Sequence, residues 1–181
     1  MPRLEAVDPS TATGKSKELL DGIQAKLGMT PNILRALASS PAALEVYLEF
    51  SGALSHGELP AKLREQIALS VAEANSCEYC LAAHSATGRA VGLSEEQVLD
   101  SRRGSSPDSK VDAVLRFARE VVEKRGWVDD DSISRLRSAG YRDGAVAEIV
   151  ANIGLHIFMN YFDHVAEPVL DFPKASELAA L

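Results

Sequence analysis

Signals that start and stop α-helices recur along this chain, and the apolar–polar alternation of a half-buried β-strand is absent. Thr30-Pro31, Ser40-Pro41 and Ser106-Pro107 each pair an N-cap residue with proline at the first helical position, where its missing N–H costs nothing. Ser94 with Gln97 reads as a capping box. Gly28, Gly92 and Gly126 stand where a helix should stop. The punctuation predicts about eight helices, at roughly 15–27, 31–39, 41–55, 60–75, 77–91, 95–102, 107–125 and 143–166, with a short extra turn near 131–139. The helix from Pro107 carries Val111, Val114, Leu115, Ala118, Val121 and Val122 at helical spacing, which is one core-facing stripe. Short connections predict antiparallel neighbours. The expected architecture is an all-α helical bundle in one domain across residues 1–181, its core about 28–166, with 167–181 an arm or loosely docked tail.

The 181 residues suffice for one domain with a real core. With a net charge of -7, the chain lacks the basic surface that nucleic acid or anionic membrane would require. The adjacent Arg102 and Arg103 read as part of a solvated loop. Residues 1–8 hold no apolar stretch that would serve as a signal peptide. The last helix comes closest to a membrane span, but Glu148, Asn152, His156 and Asn160 interrupt it. A cytoplasmic protein is expected.

Only two cysteines are present, three residues apart. A disulfide closing so short a loop adds little global stability, so the pair reads as catalytic, redox-sensing or metal-binding. In Ser76-Cys77-Glu78-Tyr79-Cys80-Leu81-Ala82-Ala83-His84, with Asn75 or Ser76 as the cap, Cys77, Cys80 and His84 fall on one helix face. The partial positive charge of the helix N-terminus stabilises a thiolate there. His84, one turn beyond Cys80, can take the thiol proton and return it. On the preceding helix Glu65 has Ala61, Ala68, Leu69 and Ala72 as same-face neighbours. A carboxylate in so small and apolar a stripe is expected to be partly buried and to need a partner, and His84 is the candidate.

Other readings of these residues stay open. The cysteines could be inert core residues. Cys77, Cys80 and His84 could hold zinc, with Glu65, His156 or water as the fourth ligand. Glu65 could be an ordinary surface carboxylate. Glu148, Asn152, His156, Asn160 and His164 recur every four residues on the last helix. They form either a drifting solvated face or a polar seam beside the active site or at a subunit interface.

Glu65, eleven residues, then Cys77-x2-Cys80-x3-His84 resembles the signature of the AhpD-like alkylhydroperoxidases of the carboxymuconolactone decarboxylase superfamily, in form closest to their peroxidase-related branch. The resemblance runs from about Gly28 to Leu93 and resumes weakly around Ala147–Asn160. It implies an AhpD-like all-helical fold assembled as a trimer or hexamer. It further implies Cys80 as peroxidatic thiol, Cys77 as resolving thiol, and His84 with Glu65 as a proton relay. No metal or organic cofactor is implied; electrons come from an external dithiol, in some relatives a lipoyl-bearing protein. Tyr79 departs from the pattern, since it stands where such peroxidases carry a histidine, and a phenol does not shuttle protons near neutral pH as imidazole does. Tyr79, His156 and Asn160 are the candidate accessory residues. The function expected is hydroperoxide reduction through a dithiol–disulfide cycle. Its rivals are a disulfide reductase without a physiological peroxide and a non-enzymatic redox sensor.

Overall fold

The computed structural model describes residues 1–178. Among them are nine α-helices and no strand: α1 (Gly14–Leu27), α2 (Asn32–Leu37), α3 (Pro41–Ser55), α4 (Ala61–Ala74), α5 (Glu78–Ala90), α6 (Glu95–Arg103), α7 (Ser109–Glu123), α8 (Asp130–Ser138) and α9 (Asp143–Ala166). The expected extra turn is the full helix α8, capped by Asp129 through the Ser132 N–H. The described residues divide into two compact units, 1–53 with 161–171 and 54–160 with 172–178.

In the first unit α1 and α2 bury Leu20, Ile23, Ile33, Leu34 and Leu37. Ser16 donates to the Ala38 carbonyl at 2.8 Å, and Lys15 pairs with Glu45 at 3.0 Å. Ser40 caps α3 as expected, its hydroxyl accepting the Ala43 N–H at 3.3 Å. Thr30 does not cap α2. Pro31 takes the N-cap position with extended ψ, and the Asp171 carboxylate accepts the Asn32 N–H at 2.7 Å. Asn32 also donates to the Val169 carbonyl, so this part of the tail is tied down rather than loose.

The second unit is organised by α4, which packs against α5, α6 and α7. Leu63, Ile67 and Val71 form one face at helical spacing. They join Val114, Phe117 and Ala118 of α7, Leu136 of α8, and Ala145, Ile149 and Ile153 of α9 in the main core. Leu69 faces Leu93 and Val98, and Ala72 faces Cys77, Cys80 and Leu81. Burying a side chain such as Ile67 stabilises by about 1.5–3 kcal/mol, and truncating it to alanine would cost roughly 2–5 kcal/mol. Asp108, not Ser106, caps α7: its carboxylate accepts the N–H groups of Lys110 and Val111, while the Ser106 hydroxyl accepts the Asp108 N–H. The Ser94–Gln97 capping box is present.

By length and composition α9 is apolar enough to cross a membrane, despite its polar interruptions. Here it is a core helix, with Ile149, Asn152 and Ile153 fully buried. Arg102 also departs from expectation. It lies at the end of α6, buried, paired with Glu73 at 2.7 Å and donating to the Ser176 carbonyl. That bond, a Lys174–Glu78 ion pair at 3.6 Å and the edge-on approach of Phe172 to Tyr79 dock the tail on this unit. Residues 179–181 of the expected arm lie outside the described residues.

Candidate active site

The turn between α4 and α5 brings the cysteines into place. Asn75 ends α4, and Ser76 takes a left-handed conformation (φ 57°). That turn lets the Cys77 N–H return to the Ala72 carbonyl at 2.9 Å, a closure usually reserved for glycine or asparagine. Cys77 therefore lies one residue outside the helix expected to contain it. It is the N-cap of α5, its Sγ accepting the Cys80 N–H at 3.3 Å. Cys77 and Cys80 are joined as a disulfide, Cα atoms 5.3 Å apart. Cys77 is fully enclosed and Cys80 is 4% exposed. Both sulfurs sit at the positive end of α5, which favours a thiolate once the bond is reduced. Ala175 of the tail packs on this cluster. Beside it a cavity of about 460 Å³ is lined by Ser76, Glu78, Leu81, Arg102 and the tail.

One turn after Cys80, the His84 Nδ1 lies 2.9 Å from Glu65 Oε2. The same oxygen accepts the Thr87 hydroxyl at 2.7 Å. Glu65 is partly buried, as its small neighbours predicted. Burial pushes its carboxyl up, but the charge and hydrogen bond of His84, the Thr87 hydroxyl and the charge of His156 outweigh it and bring the pKa to about 2. An ionised Glu65 can only accept, which places a proton on His84 Nδ1 and leaves proton exchange to Nε2.

The polar repeat of α9 is interior over most of its length. His156 meets His84 edge-on, ring centroids 4.8 Å apart at 89°. Burial and then the charge of His84 lower its pKa to about 3, opposed in part by Glu65, so His156 is neutral. Asn160 is fully buried, and its Oδ1 accepts the Asn75 amide at 2.9 Å, tying α9 to the turn that presents Cys77. Asn152 donates to the Glu148 carbonyl, and the Glu148 carboxylate accepts the N–H groups of Glu58 and Leu59. The solvated-face reading therefore fails for these four residues; only His164 is exposed. Tyr79 is buried with its ring edge to Phe172, centroids 5.8 Å apart.

The structure thus brings Glu65, Cys77, Cys80, His84, His156 and Asn160 into one unit. Sequence reasoning missed Thr87 and Asn75. Thr87 was findable, being three residues past His84 and on its face; the sequence offered Asn75 only as a cap for the cysteine helix.

Residues 41–124 match the carboxymuconolactone decarboxylase family. An uncharacterized peroxidase-related protein from Silicibacter sp. TM1040 superimposes with a TM-score of 0.80 at 24% identity, over 92% of each chain. The alkylhydroperoxidase AhpD core of an uncharacterized peroxidase-related protein from Ralstonia eutropha JMP134 gives 0.83 at 22% identity, over 94% of this chain and 92% of that one. The debrominase Bmp8, bound to 2,3,4-tribromopyrrole, gives 0.81 at 18%, over 93% and 91%. At such identities the structural likeness speaks for the fold alone, which is AhpD-like. No curated protein matches the sequence. The family match thus spans α3 to α7 and includes Glu65, Cys77, Cys80 and His84, and the chain as a whole has an AhpD-like fold.

Proposed function

We propose that this protein is a thiol-dependent peroxidase. The observation that carries the reading is the Cys77–Cys80 disulfide at the N-terminus of α5, one turn before a histidine held by a buried carboxylate. In the reduced protein His84 Nε2 takes the Cys80 thiol proton, and Glu65 stabilises the imidazolium that results. The Cys80 thiolate attacks the terminal oxygen of a hydroperoxide. The O–O bond breaks, the departing alkoxide takes the proton from His84, and Cys80 becomes a sulfenic acid. Cys77, held against the Cys80 N–H, attacks that sulfur; the S–S bond forms and water leaves. An external dithiol, a lipoyl group among the candidates, then reduces the disulfide by two exchanges. Each cycle consumes one hydroperoxide and one dithiol and yields an alcohol, water and the oxidised dithiol. The greater exposure of Cys80 favours it as the attacking thiol. We place the enzyme in the cytoplasm as a homo-oligomer.

The test is steady-state consumption of tert-butyl hydroperoxide with dihydrolipoamide. Cys80→Ser should abolish turnover. Cys77→Ser should permit one turnover and leave Cys80 over-oxidised or in a mixed disulfide. Full activity in Cys80→Ser would refute the assignment. The same assay with a bromopyrrole and halide detection covers the chemistry named for one structural neighbour; halide release without peroxide consumption would replace the peroxidase reading.

A further inference from the structure

A second cleft, of about 660 Å³, lies in the same unit at the opposite end of α4 from the cysteines, and neither cysteine lines it. Its size is that of small-molecule sites. The apolar wall is made by Leu59, Leu63, Leu93, Val111 and Ala145, together with Tyr141. Gln66 also lines it. That residue is 6% exposed, and its amide makes no hydrogen bond among the described residues. The amide is not sealed from water, so a polar group entering the cleft can take the place of solvent there.

The electrostatics choose the sign of that group. Lys62, Lys110 and Arg142 ring the cleft, and among the described residues none forms an ion pair, although the protein as a whole carries a charge of -7. Lys110 instead lies over the Tyr141 ring, 5.0 Å from its centroid. The N-termini of α4, α7 and α9 all reach this cleft. That of α4 has neither a side-chain cap nor an acidic residue in its first turn, and the Glu148 carboxylate sits instead on the N–H groups of Glu58 and Leu59 just before it. Asp108 and Glu58 also line the cleft, and Asp108 is committed to capping α7. Two carboxylates against three cations leave one positive charge in excess, which suits a monoanion better than a phosphate.

We infer that this cleft binds an amphipathic monocarboxylate, its apolar body against Leu63 and Leu93, its carboxylate among Lys62, Lys110 and Arg142, and its polar edge at Gln66. This site is separate from the dithiol, and its test does not depend on the peroxidase reading. The full chain would be titrated with octanoate by calorimetry and by methyl and side-chain amide NMR. Octan-1-ol and octylammonium serve as controls, and light scattering is run alongside. The expected result is one saturable site per chain, shifts centred on Leu63, Leu93 and the Gln66 amide, and octanoate at least roughly tenfold tighter than either control. Lys62→Met with Arg142→Met, both at exposed positions, should weaken octanoate by about tenfold and leave octan-1-ol unchanged. The inference is overturned by absent saturation, by equal affinity for octan-1-ol, by shifts mapping elsewhere, or by indifference to the double substitution. It is overturned equally if octanoate lowers the particle mass by displacing a second copy from the cleft.

Discussion

Replacing Glu65 with glutamine removes one charge and almost no volume, and it probes the point at which the relay is most exposed to test. In the folded protein the carboxyl falls from 4.5 to about 2. That difference corresponds to roughly 3 kcal/mol of preference for the ionised form. The sign follows from the direction. A depressed carboxyl contributes stability that is fully present above 4.5 and is lost as the pH falls toward 2. Glu65→Gln should therefore be less stable than wild type near neutrality, with the difference closing in acid. The catalytic consequence is separate. The imidazolium that receives the Cys80 proton loses a charged hydrogen-bond partner worth about 1.5–3 kcal/mol, so thiolate formation should slow by roughly one to two decades. The assay is the rate of Cys80 alkylation against pH in reduced wild type and Glu65→Gln, each repeated on a His84→Ala background. If Glu65→Gln alkylates like wild type, or keeps its full effect after His84 is gone, no relay runs through this pair.

Thr87→Val removes only the neutral donor to Glu65, and should cost about 0.5–1.5 kcal/mol, a several-fold slowing of the same alkylation. His156 is protonated in the unfolded chain below 6.5 and in the folded protein only near 3, so stability should fall by about 1.4 kcal/mol for each unit by which the pH drops between those values. His156→Phe should flatten that slope in urea titrations, and an unchanged slope would contradict a buried neutral ring. Light scattering at micromolar concentration should report a homo-oligomer, a trimer or a multiple of one; a monomer would refute that expectation.

Most of the fold was legible because helix punctuation is local. Ser40-Pro41, the Ser94–Gln97 box and Gly28 act within a few residues, and each ends or starts a helix where expected. The misplacements came from distant or stronger competitors. Asp171 supplies the partner at the start of α2 that Thr30 was expected to give, and Asp108 outcompetes Ser106 at α7. The pairing of Glu65 with His84 could be anticipated because a carboxylate among alanines leaves room for one neighbour and demands another. The burial of Arg102 could not, since its partners Glu73 and Ser176 lie far away in sequence. The α9 repeat showed a polar stripe without its direction. Only the packing of α9 decides that His156 faces His84 and that Asn160 holds Asn75.

In the proposed cycle Cys80 gives its electrons to a peroxide and Cys77 closes the disulfide. One stopped-flow experiment tests it: fully reduced protein mixed with a single equivalent of hydroperoxide, followed by intact-mass and peptide mass spectrometry. The expected result is a rapid single turnover, release of one alcohol, and a chain lighter by about 2 Da with Cys77 joined to Cys80. Two free thiols and unconsumed peroxide after the same interval would contradict it.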